Sequence, residues 1–514
     1  MIGQTIGFRR NVLNLLAGAG IAAPLAACGG GAQEAEQDSS SLVSHIDEAH
    51  CAGLAASDLG AAEASARWVA ANAEEEGLPA YCEITATLRP VEGSSIGVVY
   101  RLPAEWNHKL LGLGGGGWAG NLTLAAAGDG LKHGYVTAQT DGGHESTDPW
   151  DNEWAANPEV RTDFAHRAIH EMTVAGKRLI AAAYDRAHDK AYFQGCSTGG
   201  RMALMEAQRY PEDYDGIIAG APVYTLQVQT SAVLRNNLFA RATFTPEELV
   251  MVSKAALTAC DRDDGVEDGV IGNPRACDWR PASLQCGAER QDSCLSESQV
   301  RALETAYNGI RSSDSSWAMF PMSKGGEAEW PAYVATSGDE DPTRGGGLMT
   351  LWKNIMIGRD VTFGSFDADE DVQALRSSEF AQVYEAKNPD LSAFFARGGK
   401  LILWHGENDA GPSPVGSNDY AEAVLAANGE AANASFRHFL LPGVGHCRGG
   451  PGADLVNWLD AMDSWHSSGH APNTLTATRA DSPRTRRICA WPQLARHDGD
   501  GDPDDVASWR CVTS

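Results

Sequence analysis

K-A-Y-F-Q-G-C-S-T-G-G, residues 190–200, decides how the rest of the chain is read. K-A-Y-F-Q-G has the make-up of a short strand, Gly195-x-Ser197-x-Gly199 follows, and Met202 to Tyr210 carries apolar residues at helical spacing. Glycines on either side of a serine permit a turn too sharp for larger residues, and such a turn lifts the hydroxyl off the end of a strand as a nucleophile. Gly216 to Ala221 supplies the next buried strand, and Phe164 to Tyr184 reads as a helix upstream. Strand, serine turn, helix, strand is the context the motif requires. The unusual feature is Cys196, a second and softer nucleophile beside Ser197.

Working outward, E-I-T-A-T-L (83–88), I-G-V-V-Y-R-L (96–102), K-L-L-G-L (109–113) and Y-V-T-A-Q-T (135–140) are β-prone runs bounded by Pro, Gly or Asn. Strand runs then thin out from about 225 to 395, where Cys, Asp, Gly and Trp accumulate, and resume with G-G-K-L-I-L-W-H-G (398–406) and F-R-H-F-L-L-P-G (436–443). A β-rich core interrupted and resumed implies an insertion of about 170 residues, placed on the strand ends where ligands bind. The expected organisation is a core in two parts, 42–225 and 396–514, with a lid domain at 226–395.

A serine hydroxyl needs a base within hydrogen-bond reach, and that base needs a carboxylate to orient it. Asp409 follows the strand Leu401–His405, and His446 lies in the loop L-P-G-V-G-H-C-R-G-G after the strand Phe436–Leu441. The order Ser, Asp, His is that of an α/β-hydrolase fold, with all three at strand ends on one edge of the sheet. Glu407 is a competing acid in the same loop. His405 is a competing base, but its place in a buried strand suits packing or internal hydrogen bonding. The oxyanion of a tetrahedral intermediate needs backbone donors: the N–H of Thr198 and one from the loop G-G-G-G-W-A-G, 114–120. No Gly-Lys-Ser/Thr follows that loop, so it does not read as a phosphate cradle.

Cys447 follows His446 just as Cys196 precedes Ser197. A Cys196–Cys447 bridge would fix the distance between the two catalytic side chains, which matters more than its loop-closure entropy. The chain has eleven cysteines; with Cys28 set aside, the ten that remain contain no C-x-x-C pair, and five disulfides are expected. Residue spacing leaves the other pairings open, although Cys286 with Cys294 and Cys489 with Cys511 would close local loops.

The chain has 514 residues, is 43% apolar and carries a formal charge of -28, so it can bury a large core and is a poor partner for nucleic acid or an anionic membrane surface. Arg9 and Arg10, the apolar run Val12 to Ala26 and then L-A-A-C-G-G-G (25–31) form an export signal over 1–28. Leu-Ala-Ala-Cys resembles a lipobox, with Cys28 as the lipidated residue. A soluble secreted protein is the alternative, and the paired arginines leave Sec and twin-arginine export open. Residues 29–41 are a polar tether.

Cys-Ser at 196–197, Asp409 and His-Cys at 446–447 resemble the arrangement of the tannase and feruloyl esterase family. The resemblance extends through G-G-W-A-G, D-F-A-H-R-A-I-H, G-C-S-T-G-G-R, P-E-D-Y-D-G-I-I-A-G-A-P, P-G-V-G-H-C-R-G-G-P-G and R-R-I-C-A-W-P-Q-L-A-R, nearly the whole mature chain. It implies an α/β-hydrolase with a large inserted lid domain, hydrolysing esters of aromatic acids such as hydroxycinnamic or gallic acid. It also implies Gly117 as the second oxyanion donor and the bridges Cys51–Cys82, Cys260–Cys277, Cys286–Cys294 and Cys489–Cys511.

C-D-R-D-D-G-V-E-D-G-V-I, 260–271, alternates carboxylates and glycines in a way that can wrap a hard cation, without the spacing of an EF-hand. A solvated acidic turn is the plain alternative. The family resemblance implies structural calcium held by Asp261, Asp264 and Asp268 through side chains and by Val266 and Val270 through carbonyls. No organic cofactor is implied. H-D-G-D-G-D-P-D-D, 497–505, reads as a solvated loop.

Trp118 is a candidate for the acyl pocket, and Arg344, in R-G-G-G-L, is a candidate for a substrate carboxylate. The expected substrate is a small aromatic ester, free or attached to plant polysaccharide. Two other readings are a terephthalate monoester hydrolase and a non-catalytic calcium-binding surface lipoprotein. The expected location is periplasmic, outer-membrane-anchored through lipid, or secreted.

Overall fold

Nine strands form the central sheet in the computed structural model of the chain. They are β1 (Ala61–Val69), β2 (Tyr81–Leu88), β3 (Ile96–Pro103), β4 (Lys109–Leu113), β5 (Val136–Thr140), β6 (Lys190–Cys196), β7 (Gly216–Gly220), β8 (Lys400–Gly406) and β9 (Phe436–Leu441). The structure describes residues 44–72, 77–146, 148, 150–151, 153–287, 293–336 and 366–513. The signal segment, the tether, Cys28 and Arg344 lie outside them.

Across the sheet the strands run β9-β8-β7-β6-β4-β5-β3-β2-β1. β4 to β9 pair in parallel, and β1 to β3 add an antiparallel margin that joins through β3 and β5. Parallel strands covered on both faces tend to read as continuous apolar runs, as β7, G-I-I-A-G, does. β5, V-T-A-Q-T, is also buried along its whole length, but its Gln139 is hydrogen-bonded to Arg101 and to the Asn121 carbonyl. Neighbouring residues serve opposite faces: Leu110, Phe193, Ile217 and Leu401 enter one core, while Leu111, Tyr192, Ile218 and Ile402 enter the other.

Helices cover both faces. α1 (Leu124–Lys132) and a later helix, Trp458–Ser468, pack on one; α2 (Ala168–Tyr184) and α3 (Thr198–Arg209) pack on the other. The run read as helical from Phe164 opens with a π-helical turn, Asp163–Arg167, before α2 begins. That turn presents the Phe164 and Ala165 carbonyls to the buried Arg201 guanidinium, at 3.0 and 2.6 Å.

Between β7 and β8 the chain inserts a mostly helical segment that contains the expected lid. It includes α4 (Gln227–Ala240) and α5 (Pro246–Cys260). Thr245 and Glu248 cap α5 reciprocally, and Pro246 occupies its first turn, where no backbone donor is needed. The insertion has its own apolar cluster, with Phe239, Leu249, Leu303 and Trp330, and packs within one unit that spans Val43–Ser514. After β8, α6 (Pro414–Ser435) returns the chain to β9. Among the described residues no helix is long and apolar enough to cross a membrane.

Candidate active site

β6 ends at Cys196, and α3 begins at Thr198. Ser197 between them has φ 62° and ψ -123°, in the left-handed half of backbone space that a side chain rarely enters. The flanking glycines make this possible: a Cβ on Gly195 would stand 2.5 Å from the Gly199 carbonyl group. The serine is held by its own backbone, since its N–H donates to Gly220 and its carbonyl accepts from Val223.

Ser197 Oγ lies 2.9 Å from His446 Nε2, and His446 Nδ1 lies 2.7 Å from Asp409 Oδ2. The acidic partner can only accept, so Nδ1 carries the hydrogen and Nε2 is left to take one from the serine. Burial alone would raise the Asp409 carboxyl, but His446 and a hydrogen bond from His405 outweigh it and hold it at about 2. Glu407 is turned elsewhere, paired with Arg275 at 2.8 Å. His405 contacts Asp409, Pro412 and Ser417, and the imidazole on Ser197 is that of His446.

All five bridges are present: Cys51–Cys82, Cys196–Cys447, Cys260–Cys277, Cys286–Cys294 and Cys489–Cys511. Cys447 has φ 65°, so both loops tied by its bridge contain a non-glycine residue in the left-handed region.

The glycine loop 114–120 lies against the serine turn, so closely that a Cβ on Gly114 would stand 2.5 Å from Gly199 Cα. Gly117 has φ 58°, and its carbonyl accepts from the Thr198 hydroxyl at 2.7 Å. Thr198 opens α3, where the first N–H groups have no partner within the helix. The loop's far end is tied to the end of β5 and the residue after it, with Asn121 N–H on the Thr140 carbonyl and Gly120 N–H on the Asp141 carbonyl.

A cavity of about 1370 Å³ opens over these groups. Ser197 and His446 line it with Trp118, Val228, Tyr333 and Arg235. Trp118 is itself packed among Trp154, Phe164 and Tyr384, so it serves the core and the wall together. Sequence reading missed Tyr333, whose ring stands edge-on to His446 at 5.2 Å, and Asp141, also in the wall. Burial pushes Asp141 up to about 7; the Gly143 and Gly97 N–H groups oppose this, and Glu145 and Asp163 add to it. No sequence pattern marks either residue.

In the loop expected to bind calcium, the Asp261 carboxylate accepts from the N–H groups of Asp268 and Gly269, Asp264 accepts from Val266, and Asp268 accepts from Val270. Asp268 also pairs with Arg486, from the strand Thr485–Cys489. Among the described residues no three His, Cys, Asp or Glu side chains gather as a metal site. The donor chemistry nonetheless suits a hard cation. Burial and then the charges of Asp268 and Asp261 push Asp264 up to about 7, a crowding that a divalent ion would relieve.

The family model for tannase and feruloyl esterase matches residues 82–512. The chain is 32% identical to the mono(2-hydroxyethyl) terephthalate hydrolase of Piscinibacter sakaiensis, over 86% of each chain. It is 32% identical to a probable feruloyl esterase of Arthroderma benhamiae, over 84% of this chain and 85% of the relative. In structure, feruloyl esterase B from Aspergillus oryzae superposes with a TM-score of 0.80, covering 90% of this chain and 99% of that one; at 24% identity this is a likeness of fold. The chain belongs to the tannase and feruloyl esterase family, and is a carboxylic ester hydrolase on an α/β-hydrolase fold.

Proposed function

We propose that the protein is an exported serine esterase for esters of aromatic carboxylic acids, acting through Ser197, His446 and Asp409. The observation that carries this reading is the unbroken series from Ser197 Oγ to His446 Nε2 at 2.9 Å and from His446 Nδ1 to Asp409 Oδ2 at 2.7 Å. As Oγ bonds to the ester carbonyl carbon, its proton passes to Nε2, and Asp409 stabilises the imidazolium. The carbonyl oxygen becomes an oxyanion that the N–H groups of Thr198 and Gly117 receive. The bond to the alcohol breaks as His446 returns the proton to the leaving oxygen. Water then enters, gives its proton to His446 and attacks the acyl carbon; Ser197 takes the proton back and the acid leaves.

Aromatic walls, with Trp118 and Tyr333 beside apolar Val228, support an aromatic acyl group, and the names of the relatives point the same way. The insertion acts as the lid of the cavity. A terephthalate monoester is a second reading, supported by Arg448, an exposed cation in the cavity wall directly after Cys447. Calcium in the 261–270 loop is structural and takes no part in the chemistry. Five disulfides support export, since such bonds persist in oxidising compartments, and lipid at Cys28 would anchor the chain.

The test is a kinetic panel of feruloyl, galloyl and terephthaloyl esters run with the wild type and Ser197→Ala. Loss of all turnover in a folded Ser197→Ala protein that also fails to take a fluorophosphonate label is the expected result. Near-normal turnover in that variant would end the assignment. An unreactive wild-type Ser197 would favour the non-catalytic reading.

A further inference from the structure

We propose that His405 and Arg235 are positioning residues for the Asp409 carboxylate, one acting on each oxygen, and that Arg235 couples the inserted segment to the triad. The proposal rests on the triad reading above.

Oδ2 of Asp409 faces two imidazoles, His446 Nδ1 at 2.7 Å and His405 Nε2 at 3.1 Å. His405 Nε2 is also 3.1 Å from the Pro412 carbonyl, and a nitrogen between two acceptors must carry the hydrogen. Its Nδ1 stands 2.7 Å from the hydroxyl of Ser417, on α6. A fully buried ring held at both nitrogens cannot turn, so its N–H fixes Oδ2 where His446 needs it.

Oδ1 is fixed differently. It accepts the Gly411 N–H at 2.7 Å, and that N–H shares a peptide unit with the Ala410 carbonyl. Arg235 Nη1 donates to this carbonyl at 2.7 Å, Nη2 to the Gly411 carbonyl at 2.8 Å, and Nε to Ser231 at 3.1 Å. A guanidinium at one end of a peptide polarises it and strengthens the donor at the other. Arg235 is 2% exposed and sits on α4, so a cation from the insertion reaches the triad through one peptide bond. Burial lowers its pKa to about 10 and Asp409 opposes that, which leaves it charged at neutral pH. The titratable groups around Asp409 are thus His405 on β8, His446 after β9, Arg235 on α4 and Tyr333 of the insertion.

The test uses the full chain with His405→Leu, His405→Gln, Arg235→Met, Arg235→Lys and Ser417→Ala, reading kcat, KM, the pH profile of kcat/KM and Tm on 4-nitrophenyl acetate. Loss of an orienting partner typically lowers kcat by about 10- to 100-fold, and this is expected for the Leu and Met variants with KM little changed. In His405→Leu the acid limb of the profile moves to higher pH, because Oδ2 then places its whole charge on protonated His446. The Gln and Lys variants, which keep an N–H donor, recover part of kcat. Wild-type kcat in the Leu and Met variants overturns the proposal, as does activity lost only in step with the folded fraction on an unmoved pH profile. Should those two not fold, Ser417→Ala and a further variant, Arg235→Gln, decide. Ser417→Ala removes only the outer bond, and an unchanged kcat and profile there overturn the His405 half, while a folded Arg235→Gln protein whose kcat is no lower than that of Arg235→Lys overturns the Arg235 half. An active Ser197→Ala would instead sink the triad reading itself.

Discussion

Cys196 and Cys447 are bonded across 251 residues of sequence, and each is the chain neighbour of one member of the Ser197–His446 hydrogen bond. Their Cα atoms stand 5.9 Å apart. Left-handed backbone at a non-glycine residue costs on the order of 1–3 kcal/mol, and the bridge ties together the two turns that contain such residues, Ser197 beside Cys196 in one and Cys447 itself in the other.

A Cys196→Ser/Cys447→Ser protein is therefore expected to lose more than stability. Removing a native disulfide typically costs about 2–5 kcal/mol, which lowers Tm. At temperatures where the variant stays folded, kcat should still fall by roughly tenfold or more, because a loosened Ser–His contact loses its geometry. Thermal melts and initial rates check this, and an unchanged kcat would make the bridge purely a stabiliser.

Asp409→Asn should lower kcat by about 10⁴-fold while leaving the protein folded, since an amide favours the wrong imidazole tautomer. Asp409 also carries an acid-stability signature. Its folded pKa of about 2 lies below the ordinary 3.8, so the stability it contributes is present above about pH 4 and is lost as pH falls through 2. A shift of that size corresponds to about 2 kcal/mol. Acid unfolding curves between pH 4 and 2 should be shallower in Asp409→Asn.

Asp141 has the opposite sign. Its folded pKa of about 7 lies above 3.8, so its contribution is present below about pH 4 and is lost as pH rises through 7. Wild-type Tm should decline between about pH 4 and 7, and Asp141→Asn should flatten the decline. A decline of equal slope in both proteins would exclude Asp141 as its source.

Thr198→Val removes the hydroxyl that holds the Gly117 carbonyl but keeps the backbone N–H. Loss of an oxyanion donor costs about 10²–10³ in kcat, and loosening one costs less, so a drop of roughly tenfold is expected. Thr198→Ser should recover it. Steady-state kinetics on one chromogenic ester decide the point.

Chelation should lower Tm and added calcium restore it, with kcat unchanged well below the transition. Asp264→Asn should abolish the calcium response. A Tm indifferent to chelator would leave the Asp261–Asp268 loop as a solvated turn closed by Arg486.

The sheet was readable where strands buried on both faces are mainly apolar, as in L-I-L-W of β8, because little else can be covered from both sides. β1 was not: A-A-E-A-S-A-R-W-V is an exposed edge strand, Ala-rich, and only its pairing with β2 makes it a strand. The π-helical turn at Asp163–Arg167 has no signature either. Arg235 looks like any helical arginine until the fold sets it against Ala410, 175 residues away.

By itself the sequence determined the serine turn and the order of Ser197, Asp409 and His446, because each is written in short stretches whose backbone demands are local. It set Cys196 beside Ser197 and Cys447 beside His446, and the fold brought the two sulfurs together. Only the tertiary structure decided which groups crowd Asp409, which carbonyl the Thr198 hydroxyl holds and why Asp141 resists ionisation. These depend on desolvation and on distances between segments far apart in the chain, and neither exists until the sheet and its insertion have closed around the site.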